Sequence, residues 1–155
     1  MTVTDARLQR FVDAQAGGTY EGALAELRAG RKRGHWIWFV LPQLAGLGSS
    51  PTSRHYGVRG LAEARAYLTH PLLGPRLREC AGALAGLPGR DGTPTGPVDA
   101  VAALGGVDAL KLRSSATLFA LAAEDAGEDA TVFRTVLGRC CDGVEDPRTL
   151  ALLGR

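Results

Sequence analysis

From Leu27 to Ala62 the chain has no acidic residue, although it holds 16 carboxylates in 155 residues. Cysteine is scarce: Cys80, Cys140 and Cys141 make an odd set with no CxxC or Cys/His spacing. That argues against a zinc framework and fits reduced thiols. Long apolar runs are missing too. The longest, Trp36 to Leu41, is far too short to span a bilayer. The opening MTVTDARLQR lacks the apolar stretch of a secretory signal. The expectation is a cytoplasmic protein that does not engage membrane. No G-x-G-x-x-G or P-loop occurs, and His35, His55 and His70 are not at metal-ligand spacing. No metal and no cofactor are therefore expected.

What is present is ordinary in bulk, 45% hydrophobic and 22% charged, as in soluble globular proteins. A chain of this length buries a real core without staples. The acid-free stretch is less ordinary. It carries Arg28, Arg31, Lys32, Arg33, Arg54 and Arg59, two of the three histidines and both tryptophans. It is thus at +6, while the remainder holds 12 basic and 16 acidic groups. Local cations beside indoles and imidazoles favour a negative, flat partner.

Most of the chain has helical periodicity. Asp5 and Thr19 are placed to cap two helices, carrying Leu8, Phe11 and Val12, then Tyr20, Ala23, Leu24 and Leu27. The run His35 to Leu41, closed by Pro42, fits a buried strand or a buried helical turn equally by periodicity. With no second strand-like run to pair with, a helical or irregular segment is favoured. Residues 44–60 read as a Gly/Ser/Pro loop. Helices resume at Leu61 and at His70-Pro71, the latter with Leu73, Leu77, Cys80, Ala81 and Leu84 on one stripe. Residues 86–97 are turn-rich. Further helices follow over Val98 to Leu104, from Asp108 to about Ala123, from Asp129, and from Asp146-Pro147 as cap and first position. The fold class is all-α: one multihelical domain over 1–155, with its core from about 8 to 153, of seven or eight short helices.

Two constellations carry chemistry. In RKRGHWIWFVLPQ, residues 31–43, the cations suit a helix C-terminus, and Arg31 and Lys32 also suit phosphate or carboxylate oxygens. Trp36 and Trp38 would share a face if extended and diverge by about 200° in a helix. Either can be core, and either can stack on a base or sugar face. His35 can be a buried histidine making two hydrogen bonds or, when accessible, can move a proton or hold a phosphate. Gln43 suits an amide or base edge. In the following loop Arg54 and Tyr56 are placed to complete an anion pocket, or Tyr56 to tuck into the core.

The second constellation, DALKLRSSATLF at 108–119, puts Lys111, Ser114, Ser115 and Leu118 on one face of an otherwise apolar helix. Such hydroxyls bond the backbone one turn back, or they hold a ligand that Lys111 also reaches. A Ser–Lys nucleophile pair is disfavoured, because the Ser-x-x-Lys order is reversed.

The strings GRKRGHWIWFVLPQ at 30–43, SRHYGV at 53–58, EARAYL at 63–68, HPLLGPRL at 70–77 and DALKLRSSATLF at 108–119 resemble domain-of-unknown-function family 1810 in order over nearly the full length. The resemblance implies a small bacterial all-α domain, and it implies no activity. Some members carry the label calpastatin, yet nothing in this chain looks like a calpain-inhibiting repeat. The family pattern has Ser at the position of Gly34 and Met at that of Ala116. A looser likeness, in residue types rather than motifs, is to NADAR-type proteins. It points to N-glycosidic or ADP-ribosyl chemistry.

Two functional readings result. In the first, residues 31–56 and 108–119 close a pocket for a small anionic, nucleotide- or ADP-ribose-like ligand. Arg31, Lys32, Trp36, Trp38, Gln43, Arg54, Tyr56, Ser114 and Ser115 would bind it. His35 and Lys111 would be the catalytic pair of a metal-independent hydrolase, if it is an enzyme. In the second, a non-enzymatic interaction module docks an acidic partner or nucleic acid through residues 28–59. Six cations fall short of a long duplex-tracking stripe, which disfavours nucleic acid.

Overall fold

In the computed structural model, which describes residues 2–155, helix α8 (Gly106–Asp125) runs through the middle and the other helices pack around it. Every residue from Ser114 to Ala123 is buried. This segment buries every face, its hydroxyl residues Ser114, Ser115 and Thr117 included, so it forms the axle of the core. Its small residues let neighbours approach closely. They are α5 (Gly60–Thr69), α7 (Ala100–Leu104), α9 (Thr131–Cys140) and α10 (Pro147–Leu153). A second layer is α6 (Leu73–Ala85), which lies on α9, α5 and α2 (Thr19–Ala29). Helix α1 (Val3–Gln15) packs on α5 and on the single turn α3 (Ile37–Val40), which touches α4 (Pro51–Tyr56).

Aromatic side chains join these layers. Phe119 of α8 lies 5.3 Å from Tyr67 of α5 and 6.0 Å from Phe133 of α9, centroid to centroid. Tyr67 meets Phe11 of α1 edge-on at 5.1 Å. Each fully buried ring or leucine contributes about 1.5–3 kcal/mol relative to exposure.

The all-α expectation holds, with ten helices among the described residues where seven or eight were expected. The surplus lies between Ile37 and Tyr56. The apolar run folds as the turn α3. The Gly/Ser/Pro stretch hides α4, which Ser50 caps by accepting from Ser53 N at 3.1 Å, with Pro51 at the first position. Several caps differ by a few residues. Thr2, not Asp5, caps α1, and Asp5 is the third-position partner of a capping box. Gly18 precedes α2, so Thr19 is its first residue. Asp108 is inside α8 rather than at its cap, which frees its carboxylate for other use. Asp146 and Pro147 do open α10 as expected.

The loop before α4 is pinned at its base. Leu44 and Val58 form an isolated parallel bridge, with Ala45 N donating to Val58 O at 2.8 Å and Val58 N to Gln43 O at 3.0 Å.

Candidate functional site: a cation-lined cleft

Carboxylates from outside the acid-free stretch pair with two of its six cations, Arg28 and Lys32, and a third carboxylate, Glu26, ties down its backbone. Glu26, at its N-terminal border, folds back as the last turn of α2 ends at Gly30 in the left-handed conformation. One of its oxygens accepts from Arg33 N at 2.6 Å, Gly34 N at 2.9 Å and the Trp36 indole at 3.0 Å. Burial alone would raise the Glu26 pKa. These three donors and the Lys32 charge hold it below its usual value. Arg28 reaches Glu79 at 3.5 Å. Lys32 is drawn inward: its backbone N donates to Ala103 O at 2.7 Å, and its ammonium lies 2.9 Å from Asp108 Oδ2 and donates to Gly34 O.

Asp108 is the hinge of this arrangement, because its other oxygen takes Lys111 at 3.1 Å. One carboxylate therefore ties the 31–43 segment to α8. Burial would raise the Asp108 pKa, but hydrogen bonds and charge from Lys32 and Lys111 lower it on balance. The two lysines diverge beyond it. Lys32 Nζ lies 5.0 Å from the ring of Trp36, and Lys111 Nζ 4.5 Å from the ring of Trp38. The turn α3 separates the indoles: Trp36 is 3% exposed and is core, whereas Trp38 is half-buried.

On the Trp38 side opens a cleft of about 610 Å³. Trp38 and Gln43 form one wall, and Ser50, the cap of α4, and Ser53 within it form the rim. Val107, Leu110, Lys111 and Ser114 line it from α8, at the i, i+3, i+4, i+7 spacing of one helix face, with Arg113 beside them. Asp146, Pro147 and Arg148 close it from the start of α10. Arg113 donates to Cys141 O at 3.0 Å, and its buried Nε has no hydrogen-bond partner among the described residues. Ser114 donates to Leu110 O at 3.2 Å. Thr117 donates to Arg113 O at 2.8 Å and accepts from Asp146 N at 2.9 Å, locking α10 against α8. Asp146 is occupied as a cap, accepting from Thr149 N at 2.9 Å and Thr149 Oγ1 at 2.6 Å.

The cleft thus brings together Trp38, Gln43, Lys111 and Ser114 from the expected set. Lys32 is one carboxylate removed from it, through Asp108. Trp36 is packed away behind α3. His35 and Arg31 are exposed and do not line the cleft. Ser115 faces a void of about 10 Å³ among Leu41, Leu112 and Phe133. Tyr56 packs on Phe39 and Phe11 at 5.3 and 5.9 Å, and Arg54 lies on another face. Sequence reasoning missed Arg113 and Arg148. Arg113 carried a signal, since it flanks the Lys111–Ser114 face. Arg148 carried none, because only tertiary packing brings α10 here.

Gly34 is where the chain departs from the resembled pattern. A β-carbon there would lie 2.9 Å from Trp36 Cδ1 and 3.3 Å from its Nε1. A side chain at this position would require the indole to yield, so glycine suits this packing of Trp36 on Glu26.

These features define a small all-α protein with an aromatic, cation-lined cleft. The chain belongs to the family described as "Protein of unknown function (DUF1810)", which it matches over residues 5–153. It is similar in structure to the conserved hypothetical protein Rv1873 from Mycobacterium tuberculosis, with 49% sequence identity, a TM-score of 0.84 and 96% of each chain covered. No functionally curated protein is significantly similar to it. Among the described residues no helix is long and apolar enough to cross a membrane.

Proposed function

We propose that the cleft binds a small anionic ligand of the nucleotide or ADP-ribose class. One observation carries the reading: Lys111, Arg113 and Arg148 line the same cavity as the half-buried Trp38, and the lining carboxylate, Asp146, is spent on its own helix. The cavity volume is in the range that holds drug-sized molecules. Arginine forks and a lysine point charge suit phosphate oxygens, and an indole suits a base or sugar face. Gln43 beside Trp38 and Ser53 on the rim add polar contacts.

The geometry supports recognition more directly than turnover. Lys111 is bound to Asp108 and lies on Trp38, so its amine is already engaged by two partners. His35, the other expected proton carrier, does not line the cleft.

Thermal shift against NAD, ADP-ribose, mononucleotides and sugar phosphates tests the reading. A ligand at a hundred times its Kd adds roughly 2.7 kcal/mol, equivalent to about 5–11 °C for a protein of this size. Lys111→Ala and Trp38→Ala should each remove most of that shift. A flat response to every anion, or a shift that survives both substitutions, overturns it.

A further inference from the structure

Away from the cleft, α1, α4 and α5 meet around one buried carboxylate. Glu63 of α5 is 6% exposed. It accepts from Arg7 Nε at 2.7 Å, Arg7 Nη2 at 3.4 Å, Arg10 Nη2 at 2.9 Å and Arg59 N at 3.4 Å. Arg10 is fixed further, donating to His55 O at 2.8 Å, Gly57 O at 2.9 Å and Arg7 O. Above this anchor lies a depression of about 270 Å³ lined by Ala6, Arg7, Arg10, Arg54, His55 and Arg59. Four guanidiniums therefore face one carboxylate that is already saturated. Arg54 and Arg59 are exposed and make no ion pair among the described residues. Arg59 also precedes α5, which starts without a side-chain cap and adds the positive end of its dipole.

The end of α4 accounts for cations at Arg54 and His55, since a helix C-terminus favours them. It does not account for Arg7 and Arg59, which come from other elements to the same hollow. Guanidiniums stay charged at any working pH, so their mutual repulsion persists until an anion enters. Arg7 and Arg10 are held in place beforehand, which lowers the cost of binding.

We propose that this depression is a second binding site, for a phosphate dianion, either free or as the terminal group of a monoester. Its four guanidiniums and one carboxylate leave an excess of three, enough to neutralise a dianion. Its volume is below that of typical drug-sized pockets and suits a phosphate head rather than a whole nucleotide. Planar arginine forks recognise phosphate oxygens in pairs. A nucleic-acid backbone would instead require cations continuing along a stripe, and the whole chain is only +2. The site shares no lining residue with the cleft, so the proposal stands apart from the reading given for that cleft.

Isothermal titration at constant ionic strength tests it, using inorganic phosphate, phenyl phosphate, chloride, acetate and a single-stranded oligonucleotide. Phosphate or phenyl phosphate should bind, and the tighter of the two names the source of the dianion. The double variant Arg54→Gln/Arg59→Gln changes only exposed side chains and should keep the parent melting temperature while weakening phosphate binding by about tenfold or more. Lys111→Ala and Trp38→Ala should leave it within about twofold. Phosphate binding no tighter than chloride overturns the proposal. So does binding that survives the double variant, binding lost in the cleft variants, or affinity confined to the oligonucleotide.

Discussion

Asp108 Oδ2 lies 2.9 Å from Lys32 Nζ, and the same carboxylate holds Lys111 from its other oxygen at 3.1 Å. Lys32 is the most enclosed of the three, its side chain 8% exposed against 17% for Asp108 and 20% for Lys111. Asp108→Asn leaves two ammonium groups facing a neutral amide. We expect a loss of about 1–3 kcal/mol, below that of a fully buried pair because Asp108 retains some water. Lys111→Ala should cost less, since Asp108 keeps Lys32. Urea denaturation of the two variants checks both the size and the order.

Acid should destabilise the protein in a defined window. Burial would raise Glu63 and Asp108, but Arg7 and Arg10 lower the first and Lys32 and Lys111 the second; Glu26 is lowered by its hydrogen bonds. Each carboxyl is more acidic folded than unfolded, so the unfolded chain binds more protons as pH falls. The stabilisation is complete above about pH 5 and drains away below about pH 4, where unfolded carboxyls titrate. Stability measured by urea from pH 7 to pH 3 should fall across that window. Glu63→Gln should lower stability at pH 7 and flatten the slope.

All three thiols should resist modification in the native protein. Burial pushes Cys80 and Cys141 up to about 12 and Cys140 up to about 11. Little thiolate is then available near neutrality. With Ellman's reagent at pH 8, native protein should react slowly, Cys140 first because it is partly exposed. Three equivalents should react promptly in urea.

Helices α5 and α6 touch at Gly74, where a β-carbon would overlap the Leu68 carbonyl oxygen. Backbone cannot yield as a side-chain tip does. Gly74→Ala should cost about 1–3 kcal/mol, or roughly 2–12 °C in melting temperature. Gly22→Ala, with open space around it inside α2, should leave stability equal or raise it.

Local signals were readable in the chain, and long-range ones were not. Asp146-Pro147 marks the start of α10 because capping depends on neighbouring residues alone. Ser50-Pro51 is the same signal for α4, masked by surrounding glycine and serine. The Lys111–Ser114 face of the cleft was readable for the same reason, as helical spacing is a property of one segment. The pairing of Lys32 with Asp108 was not, because it requires α8 to pass the 31–43 segment in three dimensions. The charge of the acid-free stretch was misleading in the same way. Glu79 and Asp108 pair with Arg28 and Lys32 from elsewhere in the chain, while Arg31, Arg33, Arg54 and Arg59 make no ion pair among the described residues.

Helix α4 is six residues long, and successive residues on it serve different cavities: Ser53 belongs to the cleft, Arg54 and His55 to the arginine hollow. A displacement of this short helix would therefore be shared by both. A ligand that moved α4 at one cavity would change affinity at the other wherever the second ligand binds the two positions of α4 unequally, and linkage would make that influence equal in both directions.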